Sequence, residues 1–93
     1  MKTAPKWDAS EYLETEEDMA AYLNAALEDG DTSVIAAALG DIARAKGMTQ
    51  LSKETGITRD GLYKALSPTG NPSFDTVQKV VRAFGLKLDV ATA

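Results

Sequence analysis

The sequence predicts an all-α protein of five short helices, followed by a short C-terminal strand or extended tail. Apolar residues recur at helical spacing in five separate stretches, and each stretch ends at a glycine or at a loop rich in proline and glycine. Size adds to this: 93 residues make one domain, 1–93, with a modest helical core and much to gain from dimerisation.

Residues 1–14 contain Pro5 and show no clear period, although Trp7, Tyr12 and Leu13 favour burial. Thr15, with Glu16, Glu17 and Asp18 behind it, marks a helix start, because a capping hydroxyl and early acids both complement the helix dipole. This first helix runs to about Glu28, with Met19, Tyr22, Leu23, Ala26 and Leu27 on one stripe, and Asp29, Gly30 and Asp31 break it. A second helix runs from about Thr32 to Lys46, with Ile35, Ala38, Leu39, Ile42 and Ala43 inward and Gly47 as terminator. Two short helices follow in residues 48–66. After a loop containing Pro68, Gly70, Asn71 and Pro72, Ser73 caps the fifth helix, whose Phe74, Val77, Val80, Val81 and Phe84 repeat at helical spacing until Gly85. Leu86, Lys87, Leu88, Asp89 and Val90 alternate apolar and polar and read as a strand with no partner in this chain.

The stretch Met48 to Leu66, MTQLSKETGITRDGLYKAL, reads as two helices joined by a tight glycine turn. Leu51 and Thr55 face inward, and Ser52 is small where the helices come closest. Gly56 ends the first helix, Ile57 plugs the core, and Thr58 caps the next helix, with Ile57 and Leu62 at the positions of a hydrophobic staple. With Leu62, Ala65 and Leu66 buried, Thr58, Arg59, Asp60, Tyr63 and Lys64 remain outside, where a recognition helix touches base edges and phosphates. The segment therefore predicts binding to double-stranded DNA. Arg59 suits a guanine edge and Lys64 a phosphate. Asp60 can accept from a cytosine amino group, orient Arg59, or favour the helix N-terminus. Tyr63 can meet a thymine methyl or a phosphate, or pack in part. Gly61 costs about 1 kcal/mol inside a helix relative to Ala, and close approach to the DNA backbone is one reason for it.

The run of Gln50, the small Ser52, Gly56, Ile57 and Thr58, with NPSFDTVQKVVRAFGLKL after it, resembles the helix-turn-helix of the phage Cro and lambda-repressor-like family. The resemblance covers about half the chain and implies a five-helix lambda-repressor-like DNA-binding domain, in which Gln50 contacts the DNA backbone and braces the recognition helix. The whole chain, including WDASEYLETEEDMAAYLNAALEDGD, is similar to the short antidote proteins of addiction modules, the Xre-type antitoxins of toxin-antitoxin systems. That similarity implies a RelE/ParE-like (HigB-type) toxin as partner and autorepression of the operon.

Charge is divided to match. Residues 1–31 carry two bases against nine acids, a net −7, and the remainder carries eight bases against five acids, a net +3. The basic part suits the protein's own operator DNA, and the acidic N-terminal extension and helix suit a basic toxin. Trp7, Glu11, Tyr12, Glu16 and Glu17 are the candidate toxin contacts, aromatic anchors beside an acidic rim. The simpler alternative is that these acids merely solvate their helix and that the apolar residues pack on the core, Leu13 above all. A single recognition helix reads few bases, so a two-fold homodimer is expected, with Phe84, Leu86 and Leu88 as its seam.

Other chemistries are poorly supported. The chain contains no cysteine and no histidine, which removes disulfides, thiolate metal sites, the usual general base and the commonest zinc ligand. The Glu28, Asp29, Gly30, Asp31 cluster lacks the spacing of a calcium loop, and no phosphate-cradling GxxxxGK sequence occurs. We expect no enzyme activity, cofactor or metal. No apolar run approaches the roughly 20 residues that span a bilayer, and the N-terminus lacks a signal peptide's apolar core, so a cytoplasmic protein without membrane contact is expected. A stand-alone helix-turn-helix regulator with no toxin, or an interaction adaptor that has lost DNA binding, remain as alternatives.

Overall fold

A computed structural model describes residues 12–93, and these form five α-helices: α1 (Glu16–Asp29), α2 (Thr32–Lys46), α3 (Met48–Thr55), α4 (Arg59–Ala65) and α5 (Phe74–Ala83). None is long and apolar enough to cross a membrane. Each boundary has a local cause. Thr15 Oγ1 accepts from the Asp18 N–H at 3.0 Å while Asp18 Oδ2 accepts from the Thr15 N–H at 3.2 Å, a reciprocal capping box. Backbone N–H donors of Thr15 and Glu14 hold the Asp18 carboxyl below the usual carboxylate range. Asp31 caps α2 by accepting from the Ser33 N–H, and hydrogen bonds from Ser33 lower its pKa likewise. Gly47 alone separates α2 from α3, with φ at 105°, so the chain turns between helices without a loop.

The interior is built around Leu39, Ile42, Leu51, Leu62, Val80, Val81 and Phe84, all essentially inaccessible to solvent. α1 lies on α2, and α3 touches α2, α4 and α5, so the short third helix is the hub onto which α4 is fastened. Leu13 is buried and joins this core from the lead-in to α1.

Four expectations are corrected. The tail from residue 86 forms no strand; its backbone has no neighbouring strand among the described residues with which to exchange hydrogen bonds. Instead, the end of α5 closes in a Schellman motif: the Leu86 N–H reaches the Val81 carbonyl at 3.1 Å, the Gly85 N–H reaches Arg82 at 2.9 Å, and Gly85 takes φ of 85°. Phe74 is 70% exposed rather than inward, because it occupies the first turn of α5 and the buried stripe begins only at Val80. Phe84 is wholly buried within its own protomer and presents no surface to a dimer seam. Leu27, near the end of α1, is likewise exposed instead of inward.

Candidate nucleic-acid interface

The turn between α3 and α4 is fixed by side chains that the sequence concentrates there. The Ser52 hydroxyl donates to the Ile57 carbonyl at 2.6 Å, and Thr55 Oγ1 accepts from the Ile57 N–H at 3.2 Å while donating back to the Leu51 carbonyl. Both polar groups of Ile57 are thus satisfied from α3, which sets the direction in which the chain leaves Gly56, itself left-handed at φ 76°. Thr58 then caps α4, its hydroxyl accepting from the Gly61 N–H at 3.0 Å. Beneath the helix, Leu62 is fully buried, Leu66 nearly so, and Ile57 and Ala65 pack against the same core.

This anchoring leaves one face of α4 in solvent. Thr58, Arg59, Asp60, Tyr63 and Lys64 are all exposed, Tyr63 to 47%. Asp60 pairs with Lys64 one turn on, at 3.4 Å, and both side chains stand about four-fifths exposed. Such a pair is worth little in water. Arg59 forms no ion pair among the described residues. Gln50 is exposed on α3 but donates to Glu54 Oε2 of its own helix at 2.8 Å, so its amide does not brace α4 as the resemblance implied. Gly61 has a local reason: a Cβ there would press on Thr58 Oγ1 at 3.1 Å and Ile57 Cγ2 at 3.3 Å, the atoms that make the cap and the plug.

Beside α4 lies an arrangement that helical spacing alone does not predict. The Tyr22 hydroxyl of α1 donates to Asp41 Oδ2 of α2 at 2.5 Å, and the other oxygen of Asp41 accepts from Arg44. Burial, with the Asp41 carboxylate close by, pushes the Tyr22 phenol up to about 12. Asp41 and Arg44 are three apart on one helix, which is a visible signal; Tyr22 is on another helix and its spacing marked it only as apolar. Arg44 and Tyr63 line one cleft of about 250 Å³, together with Gly40, Leu66, Ser67 and Pro68.

Of the residues expected to meet a toxin, Glu16 and Glu17 are exposed in the first turn of α1, and Tyr12 is exposed just before it. Trp7 and Glu11 lie outside the described residues. In the expected dimer seam, Leu86 is half-buried as part of the α5 cap, whereas Leu88 is exposed. Leu88 lines a cleft with Leu23 and Leu27 of α1, and Val90 beyond it is almost fully exposed.

Comparison with known proteins places the chain in a family. Residues 3–92 match the family model described as "probable addiction module antidote protein". An uncharacterized protein of Haemophilus influenzae is 50% identical over 84 residues, covering 90% of this chain and 87% of its own length. No solved structure matches the chain at a significant level.

Proposed function

Because the chain belongs to the family of probable addiction module antidote proteins, we propose that it is an antitoxin that binds its own operator as a dimer, represses its operon, and neutralises a RelE/ParE-like toxin by direct contact. The observation that carries the DNA half of this reading is the mounting of α4. A helix of seven residues is pinned by Leu62 beneath and by the Thr58 cap at its start, while its whole opposite face, with Arg59, Tyr63 and Lys64, is left to solvent. A helix held in that manner enters a major groove with its N-terminal residues at the base edges. Two copies related by a two-fold axis would address half-sites about 34–36 Å apart.

The antitoxin half rests on the family and on the charge division. The exposed acids at the start of α1 suit the positive surface that a toxin acting on RNA must present, and they would speed its capture. One experiment addresses both halves. The gene is expressed with its neighbouring reading frame, and the purified protein is tested in mobility shifts on its own upstream region beside the Arg59→Ala variant. Rescue of growth, a shifted band, and a loss of about 1–3 kcal/mol in the variant are expected. A shifted band without a toxic neighbour would leave a stand-alone regulator; growth rescue without DNA binding would remove the repressor role.

A further inference from the structure

We propose that Arg44, on α2 and outside the helix-turn-helix, is a DNA-phosphate ligand whose guanidinium is positioned by Asp41 and, through it, by Tyr22 of α1. This rests on the DNA-binding reading above and extends the DNA-facing surface from α4 onto the neighbouring helix.

The placement follows from a glycine. Gly40 has no side chain, and a Cβ there would run into the Leu66 carbonyl oxygen at the end of α4. Its absence lets α2 close directly on the C-terminal end of the recognition helix. Arg44 is one turn further along α2 on the same face, and its Nη1 lies 3.6 Å from where a Gly40 Cβ would stand. It therefore stands at the rim of the cleft whose opposite wall includes the exposed Tyr63 ring.

The orientation follows from the carboxylate. Asp41 divides its two oxygens: Oδ1 accepts from Arg44, and Oδ2 accepts from the Tyr22 hydroxyl at 2.5 Å. A carboxylate engaged at both oxygens is restricted in orientation, and that restricts the guanidinium it pairs with. Arginine has five N–H donors in a planar fork, and Asp41 engages Nη2 alone, which leaves donors for a second anion. The Arg44 side chain is 48% exposed against 21% for Asp41, so the acid is turned inward and the cation outward. A planar fork with spare donors, pre-oriented at an exposed rim, has the geometry for phosphate. An ion pair between neighbours on one helix would by itself add little stability and would not need a tyrosine from a different helix to hold its acid.

The test measures binding of the full chain to a labelled duplex from its own upstream region, by fluorescence anisotropy, at salt from about 50 to about 200 mM. One phosphate contact contributes a slope of about 0.9 in log K against log salt, so the wild-type advantage over Arg44→Ala should shrink about 3.5-fold across that range. Arg44→Lys keeps the charge and should restore the wild-type slope with weaker binding. Tyr22→Phe, which changes no charge, should weaken binding at every salt concentration with the slope unchanged. Circular-dichroism melting of each variant separates these effects from loss of fold: a merely structural Arg44 would lower the melting temperature and leave the slope alone, and a merely structural Tyr22 would weaken binding only together with a lowered melting temperature. Wild-type affinity and slope in Arg44→Ala, with Arg59→Ala impaired, would overturn the proposal while the DNA reading stands. Unchanged binding by Tyr22→Phe would overturn the positioning role of the tyrosine. Failure of the wild-type chain to bind any upstream duplex would overturn both readings together.

Discussion

Replacing Gly40 by Ala should destabilise the protein even though it improves the helix that contains it. Gly40 sits inside α2, where Ala is favoured over Gly by about 1 kcal/mol from helix propensity. Against that gain stands the added methyl, which would overlap the carbonyl oxygen of Leu66 and come within 3.4 Å of its carbonyl carbon. The obstacle is backbone, so no rotamer change relieves it, and α4 must move away from α2. Overpacking of this kind costs about 1–3 kcal/mol, with backbone contacts toward the upper end. The net expectation is a loss of about 1–2 kcal/mol, which in a domain of this size lowers the melting temperature by about 5–15 °C. Gly61→Ala is the matched control: it gains the same propensity and presses only on side-chain atoms, Thr58 Oγ1 at 3.1 Å and Ile57 Cγ2 at 3.3 Å. Its melting temperature should stay near that of the parent. Thermal unfolding followed by circular dichroism decides the matter. If Gly40→Ala melts at or above the parent temperature, α2 and α4 are not in backbone contact and the packing described here is wrong.

Thr58→Ala removes the hydroxyl that accepts from the Gly61 N–H and should cost about 1 kcal/mol in denaturant unfolding, with Thr58→Ser recovering most of it. Tyr22 offers a pH signature. Its folded pKa of about 12 lies above the ordinary 10, so its contribution is fully present below pH 10 and is lost as pH rises toward 12. Ultraviolet titration of tyrosinate should show one of the three tyrosines ionising late, a step absent from Tyr22→Phe, which should also lose less stability over that range. In the tail, Leu88 is exposed in the cleft it lines with Leu27 and Val90 is exposed beyond it, so Leu88→Glu with Val90→Glu should turn a dimer into monomers in sedimentation. A dimer that survives both changes has its seam elsewhere.

Much of the helical skeleton was legible because its punctuation is chemical and local. Thr15, Asp31, Thr58 and Ser73 each bring a side-chain oxygen to a helix start, and Gly30, Gly56 and Gly85 each supply the left-handed residue that ends one. What failed to be legible depends on tertiary context. Phe74 fits the period of α5, but period alone does not show that the core stops one turn short of it. The alternation in residues 86–90 imitates a strand, yet a strand requires a partner that no local pattern can supply. Phe84, Leu86 and Leu88 read in sequence as one apolar seam. The Schellman closure instead commits Phe84 to the interior and Leu86 to the cap, leaving only Leu88 and Val90 outside. At the candidate interface, the exposed set on α4 follows from Gly56 and Thr58. The Tyr22, Asp41, Arg44 chain does not, because two helices must pack before the tyrosine meets the acid.

That chain also bears on how the two charged halves of the molecule relate. Tyr22 belongs to α1, whose first turn carries the exposed acids, while Arg44 belongs to α2 and borders α4. A carboxylate that accepts from both joins the acidic element to the basic one through two hydrogen bonds, with no flexible segment between them. A protein bound across α1 that displaced the Tyr22 hydroxyl would release Asp41, and a released Asp41 would no longer fix the guanidinium beside Tyr63. Coupling of that kind can be measured, since a partner that changes DNA affinity through the Tyr22 bond has its own affinity changed by DNA by the same factor. Titrating the protein with its partner in the presence and absence of operator duplex should therefore give equal and reciprocal shifts in the parent and none in Tyr22→Phe. Equal shifts in both proteins would show that α1 and α4 communicate by another route, or that the partner simply covers the exposed face of α4.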